Sequence, residues 1–134
     1  MLGSSHAFSS FSTDNPEAAA DFYGETLGLD VTVARDDAMG TMVNVRFRHG
    51  GRCLIYPKDD HVPASHTVLM FPVEDLDATV AALNAAGVPL EKTEWTDDNG
   101  VARDPEGRSP AVAWFKDPAG NWLSIIEESP DNIG

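Results

Sequence analysis

The sequence predicts an α+β fold made of two βαβββ modules, and three observations carry that prediction. The chain nearly repeats itself: residues 11–28 read FSTDNPEAAADFYGETLG and residues 71–87 read FPVEDLDATVAALNAAG. Phe11 and Phe71, Asp14 and Glu74, and Ala18 and Ala78 each stand 60 residues apart, whereas the closing Gly28 and Gly87 stand 59 apart. Each copy is an apolar strand end, an acidic turn, an amphipathic helix and a glycine stop. The segments around the copies alternate with the period of two expected of strands. A repeat this long that occurs twice is no solenoid, which needs at least three copies. It points to two similar halves closing around a shared surface, and function is expected there.

The elements follow in order. His6–Ser12 alternates as a strand. Asn15 is suited to cap a helix with Pro16 at its first position, and Gly28 closes it. Leu29–Ala34, Met42–Arg48 and Arg52–Pro57 read as strands, the last two joined by a turn at His49-Gly50-Gly51. The polar stretch after Pro57 is a linker. In the second half Thr67–Phe71 is a strand, Asp75–Ala86 a helix, and Val88–Lys92 a strand. Pro110–Lys116 and Asn121–Glu127 are the last strands. The polar segment TDDNGVARDPEGRSP reads as an exposed hairpin or loop, and DPAG as a tight turn with proline at its second place. We therefore expect one domain over residues 1–134, with modules 5–58 and 66–128 and a linker at 59–65.

Composition narrows the function. A chain of 134 residues with 42% hydrophobic residues and three tryptophans is a globular domain's worth of sequence. Its net charge of −13 argues against nucleic acid and against anionic membrane surfaces, both of which call for clustered Lys and Arg. No stretch is long and apolar enough to span a bilayer, and MLGSSHAF lacks the charged-then-apolar pattern of a secretory leader. The single Cys53 forms no internal disulfide and reads as a small buried strand residue. A cytoplasmic protein is expected.

Side chains alternate across a strand, so the two faces separate by parity. Phe11, Cys53, Ile55, Leu69, Phe71, Leu123 and Ile125 are uniformly apolar, as a face packed under helices should be. The other face holds His6, Phe8, Ser10, Arg52, Leu54, Tyr56, His66, Val68, Met70, Trp122, Ser124 and Ile126. That mixture of aromatic, aliphatic and hydrogen-bonding groups fits a ligand pocket with a few orienting polar groups.

The stretches FYGETLGLDV (22–31) and FKDPAGNWLSIIE (115–127), together with the duplication, resemble the vicinal oxygen chelate superfamily. That superfamily includes glyoxalase I, extradiol dioxygenases and bleomycin-resistance proteins. The resemblance covers nearly the whole chain and implies two βαβββ modules whose sheets curve around a central cleft. It also implies a homodimer, sometimes with each cleft completed across the interface. Metal-dependent members place His or Glu at one position on each of four strands. The matching positions here are Phe8, Val68, Ser124 and a place at or next to Leu54. None carries an imidazole or carboxylate, and a neutral hydroxyl is a poor ligand for a divalent ion. Ala7, Ser9, Thr67, Leu69, Leu123 and Ile125, one residue away, are no better.

The resemblance without its ligands leads us to expect metal-independent binding or sequestration of a small organic molecule, similar to the bleomycin-resistance branch, with no cofactor. Phe8, Leu54, Tyr56, Val68, Met70 and Trp122 would form the floor, and Ser10, Arg52 and Ser124 would orient polar groups. Whether the chain is an enzyme stays open. The alternative is a metal-dependent lyase, isomerase or dioxygenase with a displaced divalent site. It would use His6 and His66, also 60 residues apart, with a carboxylate such as Glu127 or Asp60. A third reading is a structural or regulatory protein whose cleft is filled by its own side chains. His61 reads as a solvated loop residue, and Trp114 as core or interface. The sequence carries no Gly-rich phosphate loop, GxSxG elbow or HExxH. Ser124 with His66 would lack a third group to act as nucleophile and base.

Overall fold

The structure, a computed structural model, describes residues 1–128. The chain divides into two compact units, Met1–Pro63 and Ala64–Gly134. The first holds β1 (Ser9–Thr13), α1 (Pro16–Asp21), β2 (Asp30–Asp36), β3 (Gly40–Arg46) and β4 (Arg52–Pro57). The second holds β5 (Thr67–Val73), α2 (Leu76–Ala85), β6 (Val101–Ala102), β7 (Val112–Lys116) and β8 (Trp122–Glu127). Each sheet is four-stranded and mixed. The order is β1-β4-β3-β2 in one and β5-β8-β7-β6 in the other, with the first strand parallel to the last. The α+β reading of two βαβββ modules holds.

The helix signals act as expected. The Asn15 side chain accepts from the Ala18 N–H at 3.1 Å, and Asp75 accepts from the Ala78 N–H at 3.0 Å. Gly28 and Gly87 take φ of +77° and +79°, which a side chain would strain. Between cap and stop the first unit has one residue more. It is absorbed by a π turn over Phe22–Thr26, in which the Leu27 N–H reaches back to the Phe22 carbonyl at 2.9 Å. The slip from 60 to 59 in the repeat is this turn. It seats Tyr23 fully buried, with Phe11 at 6.1 Å and Phe22 edge-on at 5.3 Å between ring centroids.

The uniformly apolar parity forms the core of each unit. Val43, Val45, Cys53 and Ile55 are buried in the first sheet, and Ala113, Phe115, Leu123 and Ile125 in the second, where α2 adds Leu76 and Leu83. Full burial of an Ile or Leu stabilises by roughly 1.5–3 kcal/mol, so these faces set the register.

Two elements differ from expectation. Ladder pairing in β1 begins at Ser9, leaving His6 and Phe8 before the strand. Val88–Lys92 forms no strand: Pro89 removes a donor, and one bond, from the Glu91 N–H to the Trp114 carbonyl at 2.8 Å, ties it beside β7. The rest of that edge is taken by β6, inside the polar segment read as an exposed hairpin or loop.

Candidate functional site

In the first unit the mixed parity lies on the side of the sheet away from the core. Ser10, Leu54, Asn44 and Thr32 form one rung across four strands. Leu54 and Tyr56 are half-buried there, and Ser10 and Arg52 are exposed. Phe8, just before β1, is 44% exposed and carries the Arg52 guanidinium on its ring, 3.6 Å from the centroid. Arg52 is thereby held by a cation–π contact. Ser12 Oγ lies 2.7 Å from His61 Nδ1. His61 is therefore half-buried and bonded to the sheet, not a solvated loop residue.

In the second unit Met70, Ser124 and Trp114 share a rung. The parity of β5 breaks before it. Thr67 pairs with Trp122, but Leu69 pairs with Leu123, so Val68 is an extra residue in a bulge. Thr67 therefore stands beside Trp122. Lys116 covers the Trp122 ring, its Nζ 4.9 Å from the centroid.

Around this end of the sheet lies a cavity of about 330 Å³. Its walls are Trp95, Trp114 and Trp122, all three tryptophans of the chain, and its rim is Ser65, His66, Thr67 and Thr93. Trp114 and Trp122 are half-buried on adjacent antiparallel strands, and Trp95 is 71% exposed. Trp95 is brought there by a closely tied segment. Thr93 Oγ1 accepts from the Trp95 N–H at 3.2 Å, and Thr96 Oγ1 accepts from the Thr93 N–H at 3.0 Å. Asp97 accepts from the Asn99 and Val101 N–H groups at 2.9 and 3.0 Å. These backbone donors, Val101 first, hold the Asp97 carboxyl below the usual carboxylate range. Gly100 is required: at φ +87° an added Cβ would lie 2.8 Å from Leu90 Cβ. Sequence reading missed Trp95 because only this folding of a polar loop aims it at the sheet.

Ser124 is fully buried and its hydroxyl has no hydrogen-bond partner among the described residues. Such a group is uncommon, since leaving a buried hydroxyl unpaired costs about 1–3 kcal/mol. Cys53 is also fully buried, and burial pushes its thiol above the usual range despite a hydrogen bond with Ser9, so it is poorly suited to act as a nucleophile.

The metal that the resemblance implies does not fit the donors at the matching positions. Phe8, Leu54 and Val68 offer none, and Ser124 offers a neutral hydroxyl. His6 shares its recess with Arg46 and Arg52, whose charges oppose a cation, and His66 lies on the rim of the tryptophan cavity. Among the described residues no group of three His, Cys, Asp or Glu side chains converges, and no helix is long and apolar enough to cross a membrane.

Comparison with known proteins places this geometry in context. The Glyoxalase/Bleomycin resistance protein/Dioxygenase superfamily profile matches residues 5–125. TnmS3, an antibiotic binding protein from a Streptomyces species, is 24% identical with a TM-score of 0.68, over 94% of this chain and 98% of its own. A superfamily member from Sphaerobacter thermophilus is 24% identical with a TM-score of 0.69, over 91% and 97%. A lactoylglutathione lyase from Agrobacterium tumefaciens is 20% identical with a TM-score of 0.64, over 92% and 93%. At these identities the likeness is one of fold. No curated protein matches the sequence.

Proposed function

Since the chain belongs to the Glyoxalase/Bleomycin resistance protein/Dioxygenase superfamily, we propose that it binds a small, flat aromatic molecule against its three tryptophans without using a metal. The observation that carries this reading is that all the tryptophans of the chain line one cavity. Indole rings offer broad apolar faces for offset stacking and N–H groups for orientation. A volume of about 330 Å³ suits a ligand at the small end of the usual range. Thr67, Thr93 and His66 on the rim are placed to receive polar substituents. Capture needs affinity alone, with no group that changes between ground and transition state. That the superfamily's fold serves an antibiotic binding protein as well as a lyase is compatible with this reading and does not choose the ligand.

The test is intrinsic fluorescence, because every tryptophan reports on the cavity. Titration with acridone, a neutral three-ring probe, is expected to quench emission saturably. Trp95→Ala removes an exposed wall and is expected to weaken binding by about fivefold, or roughly 1 kcal/mol. Absence of saturable quenching, or unchanged affinity in Trp95→Ala, overturns the reading. Stoichiometric zinc, nickel, manganese or iron in protein purified without a tag overturns its metal-independent part.

A further inference from the structure

Charges are unevenly matched in this protein, which has 22 Asp and Glu against nine Lys and Arg. Lys58 is held by Asp60, Arg103 by Asp77, and Arg108 by Asp104 and Glu106. Arg46 and Arg52 form no ion pair with a carboxylate among the described residues. They nevertheless face each other directly across β3 and β4, where like charges repel. Asp30, the neighbour of Arg46 on β2, forms no ion pair with it. Arg35, Arg48, Lys92 and Lys116 also form no ion pair among the described residues, and what sets Arg46 and Arg52 apart is that they stand side by side on one rung.

Their surroundings are built to present them. The Arg52 guanidinium lies over the Phe8 ring, and a guanidinium stacked on a ring keeps its in-plane N–H donors available. One of them reaches Asn44 Oδ1 at the long distance of 3.5 Å. Arg46, Arg52, Phe8, Phe47 and His6 line a recess of about 420 Å³ beside the β3–β4 turn. We propose that this recess binds the carboxylate of a small organic acid, the two guanidinium groups holding its oxygens and the phenyl rings flanking its apolar body. A planar two-oxygen anion matches an arginine fork, and each charge-assisted bond is stronger than a neutral one. The site lies wholly in the first unit and uses no part of the tryptophan cavity.

The experiment titrates the full chain with benzoate, and separately with inorganic phosphate, by calorimetry and by NMR of the arginine Nε–H resonances. Benzoate is expected to shift the Arg46 and Arg52 resonances, with affinity falling as salt rises. Arg46→Gln and Arg52→Gln, both at exposed positions, are each expected to lower benzoate affinity by roughly tenfold. The double change to Lys keeps the charge, removes the fork and is expected to lose most of the affinity as well. Unchanged binding in these variants, or shifts spread over the other arginines, overturns the site. Binding of phosphate with no response to benzoate overturns the carboxylate assignment. Arginine resonances and tryptophan emission report separately, so either reading is able to fail alone.

Discussion

The two units close their β-hairpins with the same pair of backbone hydrogen bonds and opposite side chains. In the first, the Phe47 N–H donates to the Gly51 carbonyl and the Gly50 N–H to the Phe47 carbonyl, both at 3.2 Å. In the second, 70 residues on, the Asp117 N–H donates to the Asn121 carbonyl and the Gly120 N–H to the Asp117 carbonyl, both at 3.0 Å. There the likeness ends. Asp117 is buried and accepts from the Ala119 and Asn121 N–H groups at 3.0 and 2.9 Å and from Asn121 Nδ2 at 3.1 Å. Asn121 in turn accepts from the Ala64 N–H at 3.2 Å, tying the start of the unit to its last hairpin. The first turn is exposed from Arg48 to Arg52 and carries glycines at φ +91° and +81°. One turn is a buried polar lock beside a cavity walled by aromatic rings; the other is an open turn beside two unmatched arginines. One hydrogen-bond pattern thus serves rigidity in one unit and, with a second glycine at positive φ where the other has Asn121, access in the other.

Breaking the lock should have the largest effect. Asp117→Ala strands three buried donors and is expected to destabilise the protein by about 3 kcal/mol, read as a fall in the urea midpoint. Gly51→Ala, at the matching turn, meets open space and is expected to cost only about 1 kcal/mol of backbone strain. Equal losses at the two turns would erase the contrast.

A smaller effect of opposite sign is expected three residue pairs along the same hairpin. Ser124→Ala removes the unpaired hydroxyl and should stabilise the ligand-free protein by about 1 kcal/mol in the same denaturation measurement. A loss of stability would mean that the hydroxyl has a partner after all.

The smallest effect is electrostatic and confined to the loop that carries Trp95. Asp97 is held low chiefly by the Val101 N–H, and Asp104 by the Glu106 N–H. A depressed folded-state pKa stabilises at pH values above the ordinary carboxylate pKa, and the contribution is lost as pH falls through the depressed one. Amide protection factors in residues 93–109, taken relative to the intrinsic exchange rate at each pH, should therefore be higher at neutral pH and fall in acid. Asp97→Asn should flatten that dependence around Val101.

Features encoded within a few residues were legible without a fold. Asn15 and Pro16 begin one helix and Asp75 the other, Gly28 and Gly87 end them, and alternation sorts core from open face, because caps, positive φ and strand parity are local properties. Even the one-residue slip of the repeat was visible, although not its form as a π turn. The open-face residues were harder to read. Parity placed Val68 on the face of Trp122 and Thr67 on the other, but the bulge brings Thr67 beside that ring. It treated Arg52 as a lone side chain, when stacking on Phe8 and the presence of Arg46 opposite give it its character.

The architecture was thus set by short-range chemistry: period, capping and glycine placement specify two βαβββ units from the amino-acid order alone. The gathering of Trp95, Trp114 and Trp122, the isolation of the Ser124 hydroxyl and the pairing of Arg46 with Arg52 belong to the folded state. Each depends on register between segments separated along the chain. A shift of one residue in a strand sends every side chain to the other face, and no local signal records on which side a bulge or loop will resolve it.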